Sequence, residues 1–431
     1  MRSTGCRLTV TILLVTSAGP VRGQRPAAAP RSLPPVSSAA LDAHIRYLAD
    51  DLLEGRAPGT RGGCLAAQYI AAQFEALELE PAGPDSSYFQ PVALVGLTPH
   101  PSLVWGPSGA AQSLTYLDDF VAWAERPEPE ISGDGAVVFV GYGIRAPEWR
   151  WDDYKDADLR GKVVLMLVND PGLQDSTVFN GRALTYYGRW TYKLEEAARR
   201  GALGALLIHT TESATYPWEV VRGSWSVEQF KLDRPAAQAL TRVAPRPRRT
   251  LLFVATTAEE SGLLGSEAYV ERPLVPLERT AAVLNLDVAN VRGATRDIDA
   301  LGIDRSTLGA MFQAAATLES LTVVHEPDVR GSFYRSDHFP FARAGVPALS
   351  IHAGRDFVGR PAGWGKEQDE LYNRERYHQP SDEYRPTFTY AGLAQEVRVT
   401  MRLALAIANT PEPPRWLPSS EFQRPTSRLL P

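Results

Sequence analysis

Two adjacent carboxylates, Glu259 and Glu260, stand where an apolar run from Leu251 to Ala255 stops. At the carboxyl end of a strand in an open α/β sheet, neighbouring acids project in different directions, so that one can hold a metal while the other takes a proton from water. The plainer alternative is an ordinary helix start, because acids favour the positive end of a helix. Asp287 interrupts a second apolar run, Val283 to Leu286, near its carboxyl end. An ionised carboxylate in such surroundings needs a cation or several hydrogen bonds. Metal ligation would supply the first, and capping of the following turn the second. His378 lies in the polar loop Arg376 to Tyr384, whose backbone Pro380 restricts. Imidazole is the commonest metal ligand, although a lone loop histidine can equally be surface.

The elements that must position these groups are legible from period and punctuation. From Thr250 onward, strand candidates at 251–255, 282–286 and 346–351 alternate with helical stretches at 263–270, 308–318 and 391–407. That alternation predicts an α/β fold with a mostly parallel sheet covered by helices. Upstream, Ile45, Leu48, Leu52 and Leu53, then Leu65, Tyr69, Ile70, Phe74 and Leu77 after a Gly-rich turn, recur at helical spacing. Between about Val92 and Phe230 the pattern changes to short strands, at 136–140, 162–168 and 205–208, with a helix at 193–200. This stretch reads as a β-rich domain set into the larger one.

A chain of 431 residues is long enough for two domains, and 44% hydrophobic with 22% charged residues is an ordinary globular balance. A formal net charge of -5 offers no broad cationic field for nucleic acid or anionic lipid. Arg2 and Arg7 precede an apolar run from Leu8 to Ala18, and Val21, Arg22 and Gly23 lead to Gln24. This pattern predicts a secretory leader over 1–23, an exported periplasmic or extracellular chain, and no membrane span once the leader is removed. The apolar run is well short of the roughly 20 residues that cross a bilayer. Cys64 would then be the mature chain's lone cysteine, excluding an internal disulfide and fitting a small buried side chain better than a nucleophile. Residues 24–38 read as a flexible lead-in and 411–431 as a loose tail, with 39–91 and 231–410 forming the main domain around the 92–230 insert. No Gly-x-Ser-x-Gly elbow is present, and Gly141 to Ala146 lacks the helix that a dinucleotide loop requires.

Taken in order, the Thr257–Ser266 turn with its paired glutamates, the Asn285–Asp287 strand end, Arg335 to His338 leading into Gly345 and Pro347, and Tyr377 to Glu383 resemble the co-catalytic zinc exopeptidases. These include bacterial aminopeptidases and glutamate carboxypeptidase-like enzymes. Gly141 to Ile144, Tyr154 and Leu159 to Val164 are similar to that family's protease-associated insert. The resemblance implies peptide or protein substrates cut near a chain end. It makes Glu259 the general base, Glu260 and His378 ligands of one zinc, and Asp287 a ligand of the other. Arg335, Asp337 and Tyr377 would shape the substrate pocket, although Arg335 and Asp337 could instead pair with each other on the surface.

The sequence departs from that family in one place. A histidine-bearing strand and a metal-bridging aspartate are expected before the paired glutamates, yet Lys231 to Arg249 holds no histidine, and its one acid is Asp233. Two expectations follow. The metal complement falls from two zinc ions to one or none, the single ion requiring Glu260, Asp287 and His378 to close around it, three protein ligands plus water being a usual zinc count. The sheet should also lack at least one strand, leaving unpaired backbone unless neighbours close the gap. A damaged site also admits a second class of function, a peptide-binding protein that retains peptides without cleaving them.

Overall fold

The computed structural model describes residues 10–16, 33–107, 109–124, 128–232 and 249–422. The leader's cleavage point, most of the lead-in, and the Asp233 stretch up to residue 248 lie outside the described residues. The architecture is mixed α/β. Its main sheet has six strands in the spatial order Arg249–Ala255, Val10–Thr16, Thr280–Asn285, Ala348–Ala353, Asp297–Leu301 and Thr322–Val323.

The expected mostly parallel sheet is corrected to a mixed one. Thr280–Asn285 runs parallel to Ala348–Ala353, and Asp297–Leu301 parallel to Thr322–Val323. The other three ladders are antiparallel. Two of these three belong to Val10–Thr16, which pairs with Arg249–Ala255 on one side and Thr280–Asn285 on the other. The apolar run read as a leader therefore fills the strand-wide gap expected in the sheet. Leu13 is the hinge of both registers, opposite Leu252 and Val283. Both flanking strands run antiparallel to the inserted one, so they run in the same direction as each other and as Ala348–Ala353.

Alternation of side chains sorts the central strands between two cores. Ala282, Leu284, Leu349 and Ile351 face one core, with Leu308 and Phe312 of helix Leu308–Leu318 and Val399, Leu403 and Ile407 of helix Ala391–Asn409. The spacing of four between these last three is what a single helix face requires. Val283 and Ala348 face the opposite core, which contains Phe333, Phe339, Phe341 and Tyr269. Trp416 and Phe422 complete it, and Trp416 Nε1 donates to Gly345 O at 3.0 Å. The tail is thus packed, not loose, as far as Phe422, because two aromatic rings in a Pro- and Arg-rich stretch bury enough apolar surface to hold it.

Within the insert, Val137–Phe139, Val163–Leu167 and Gly204–Ile208 form a three-stranded parallel sheet, backed by helix Trp190–Arg199. Val164 and Met166 alternate into a core shared with Val140, Tyr154 and Leu159. A side chain at Gly143, held at φ 64°, would meet Met166 Sδ at 2.3 Å, which explains glycine at that turn. The segment's entry and exit strands, Leu94–Leu97 and Gln229–Leu232, pair antiparallel with each other. Among the described residues no helix is long and apolar enough to cross a membrane.

Candidate active site

The strand Arg249–Ala255 ends at Thr256 and Thr257, both buried, and the chain turns through Ala258 at φ 53° and Leu263 at φ 61° into helix Leu264–Glu271. Gly265 lets the helix settle on the strand end, since a Cβ there would lie 2.4 Å from both N and O of Thr257. Its N–H donates to Thr257 O at 2.8 Å. This tight turn carries Glu259 and Glu260 over the sheet rim. The helix-start alternative is partly right, because a helix does follow, but the acids precede it and sit in the turn.

The structure brings the sequence-predicted acids and imidazole together. Glu260 Oε2 lies 3.1 Å from His378 Nε2, although 118 residues separate them. Burial raises the carboxyl of Glu259 well above the ordinary range, and the charges of Glu260, Asp287 and Asp337 add to the rise. Asp287 is raised by desolvation too, with the charge of Glu260 adding, while a hydrogen bond from Ser336 Oγ at 2.7 Å and the neighbouring His352 oppose it. Asp287 opens the exposed segment 287–289 that follows the buried strand Thr280–Asn285.

A hydrogen-bond chain fixes Asp287 from below. Asn285 Nδ2 donates to Ser336 Oγ at 2.7 Å and to Ser350 Oγ at 3.2 Å, and Ser336 then donates to Asp287. All three partners beneath the carboxylate are fully or nearly buried. The loop that carries His378 is equally constrained: His378 adopts φ 57°, its ring stacks on Tyr377 at 3.9 Å, and its Nδ1 lies 3.2 Å from Ser224 Oγ of the insert. The insert therefore abuts the site. Burial pushes the Tyr377 phenol up to about 12, with Arg335 opposing and Glu260, Glu259 and Asp287 adding to the rise.

Asp337 occupies a different place. It is fully buried and accepts hydrogen bonds from Thr256 Oγ1 and Ser266 Oγ, each at 2.6 Å, tying the strand end to the helix that follows. Desolvation pushes its carboxyl up to about 6. It braces the glutamate turn from beneath, and no Arg335–Asp337 pair forms. Arg335 instead lies over the Tyr216 ring, 5.2 Å from its centroid. Sequence reading missed Ser336 and His352. The signal available for His352 was the one used for Asp287, a polar residue at the carboxyl end of an apolar strand.

Zinc is the metal associated with this family, and the donor set can be tested for it. Glu260 and His378 are close enough to share an ion, but Asp287 is held by Ser336. Among the described residues no group of three His, Cys, Asp or Glu side chains is arranged to hold one metal. The three-donor closure expected from sequence is not formed, and the described residues do not fit zinc as they stand. Cys64 is free, half-buried and on helix Arg61–Ala76, with no part in the rim.

An acid-rich rim with one imidazole, set at strand ends of a helix-covered sheet, is a site of the hydrolase type, and comparison with known proteins identifies which type. Residues 235–401 match the model of peptidase family M28. A stretch of 150 residues is 30% identical to leupeptin-inactivating enzyme 1 of Streptomyces exfoliatus, covering 34% of this chain and 33% of that protein. A stretch of 121 residues is 32% identical to the Arabidopsis thaliana protein called probable glutamate carboxypeptidase AMP1, covering 26% and 17%. The matches thus span a third or less of those relatives' lengths. The aminopeptidase from Aneurinibacillus sp. strain AM-1 aligns over 86% of this chain and 97% of its own, at 15% identity and a TM-score of 0.38, too low to carry an argument.

Proposed function

We propose that this chain is an exported exopeptidase of the aminopeptidase kind, acting at the ends of peptides, with Glu259 as the group that accepts a proton from the attacking water. One observation supports this reading: Glu260 and His378, from distant segments, approach to 3.1 Å at the sheet rim, within electrostatic reach of Glu259 and Asp287. A carboxylate whose proton affinity is raised is a stronger base once ionised, which suits proton abstraction near neutral pH. The 92–230 insert is read as a protease-associated domain that walls the substrate pocket, supported by the contact of Ser224 with His378. Export rests on the basic start and short apolar run of the first residues.

A second reading is favoured by the incomplete donor set: the domain keeps the peptide-facing rim but binds without cutting. Assay of the full chain against alanyl and leucyl p-nitroanilides, with zinc measured by mass spectrometry, separates the two. Hydrolysis that disappears in Glu259→Gln supports the exopeptidase. No hydrolysis and no zinc leaves the binding role, and two zinc ions per chain would overturn the account of the donor set given above.

A further inference from the structure

The main sheet has two edges, and they are built differently. One is Thr322–Val323, two residues long and soon followed by Glu326 and Pro327, the charge and the proline with which natural sheets blunt an edge. The other is Arg249–Ala255, seven residues long. Among the described residues its only ladder is with Val10–Thr16, on one side. From Thr250 to Ala255 it carries neither charge nor proline. Arg249, at its start, does not guard it. That guanidinium turns to the end of helix Ala391–Asn409, where it donates to Ile407 O at 2.7 Å and Thr410 O at 2.5 Å.

What this strand leaves open is backbone. Leu251 packs toward one core, and Leu252 and Val254 pack toward the other. Even so, every residue from Thr250 to Ala255 is half-buried or exposed, and Phe253 is 38% exposed. Thr280–Asn285, two strands further in, is buried at all six positions. The difference is the outer side of the strand, where alternate residues turn their N–H and C=O groups to solvent. Another extended segment completes such a ladder. The same strand of a second copy fits it. Antiparallel pairing about a two-fold axis is self-complementary, forms about six backbone hydrogen bonds, and sets each Phe253 beside apolar side chains of the other copy. Unlike an arbitrary peptide, the copy brings a strand already extended and held, so less ordering entropy is lost.

We propose that the protein forms a two-fold dimer through Arg249–Ala255, joining two six-stranded sheets into one. The assembly closes at two, because pairing consumes the long edge of each copy and the other edge offers only two residues. The dimer does not depend on peptide hydrolysis.

Sedimentation velocity on the full chain between about 1 and 200 µM tests this, because edge pairing buries less surface than most stable interfaces and implies a Kd of about 1–100 µM. The weight-average mass should rise from one chain to two. Phe253→Lys adds an edge charge at a position already open in the single chain. It should weaken the dimer about tenfold or more, while Tm measured at about 1 µM stays within about 2 °C. Hydrogen exchange on the natural chain reads the interface directly. Amides of 250–255 should gain protection as concentration rises, and those of 280–285, buried in either state, should not change. If Phe253→Lys fails to fold, the exchange measurement decides alone. A chain that stays single throughout, a dimer that Phe253→Lys leaves unchanged, species larger than two, or protection at 250–255 that ignores concentration would overturn the proposal.

Discussion

At the scale of single residues, the contrast between Glu259 and Asp337 shows how one cluster of acids divides its labour. Glu259 lies among like charges with nothing donating to it in the contacts described above, so burial and repulsion keep its proton affinity high. Asp337 is more deeply buried, yet two hydroxyl donors hold it closer to the ordinary range. Asp337 therefore acts as a positioning residue. Asp337→Ala should cost about 2–3 kcal/mol in urea unfolding, because Thr256 and Ser266 lose their shared acceptor in a dry interior. Asp337→Asn keeps one acceptor and should recover much of that loss. A raised KM with unchanged stability would instead make Asp337 a substrate contact. Glu260 and His378 behave differently again. With the Glu260 side chain largely in solvent, their contact contributes little to stability, so Glu260→Gln should leave the unfolding midpoint unchanged within about 0.5 kcal/mol while lowering any hydrolysis.

At the scale of elements, the sheet depends on seven residues, Val10–Thr16, that also read as the core of a leader. The two roles exclude each other within one molecule, because cleavage after Gly23 would remove a strand paired on both sides. The composition suits both: β-branched Val10, Thr11, Ile12, Val15 and Thr16 favour a strand, and an apolar run after two arginines favours a leader. Leu13→Pro should cost about 3 kcal/mol or more, since proline in a central strand removes a ladder donor and strains the pleat. Deletion of residues 1–23 should lower the thermal midpoint of the chain, and a synthetic peptide of residues 8–18 should restore it. If the deleted protein melts at the same temperature as the full chain, Val10–Thr16 contributes nothing to the sheet.

At the scale of the whole molecule, what the sequence revealed was local periodicity and what it withheld was pairing. Helix Leu308–Leu318 was legible to the residue because its apolar positions recur at helical spacing within the chain itself. The meeting of Glu260 with His378 was legible only through the order of motifs, since nothing local ties two segments so far apart. Strand direction and the burial of Trp416 and Phe422 were not legible, because both depend on which surfaces remain uncovered once the other elements have packed. Glu396 is a different case: helical spacing, three residues before Val399 and seven before Leu403, puts it on the core face of helix Ala391–Asn409, and it is 1% exposed, with Oε2 accepting from Asn290 N at 3.2 Å and Oε1 without a partner. Desolvation pushes its carboxyl up to about 8. An acid raised in the folded state binds its proton more tightly there than in the unfolded chain, so stability is fully present below the unfolded value, near 4.5, and declines as pH rises to about 8. Lys193, which burial pushes down to about 7, acts in the opposite sense from about pH 7 upward, so the raw profile mixes the two. Substitution isolates the acid. Glu396→Gln keeps an acceptor for Asn290, removes the titration and should stabilise the protein at pH 8 by about 2–4 kcal/mol relative to the natural chain, with little difference at pH 4.5. Urea midpoints at the two pH values measure this directly, and an equal shift at both would show that packing, not ionisation, distinguishes the two side chains.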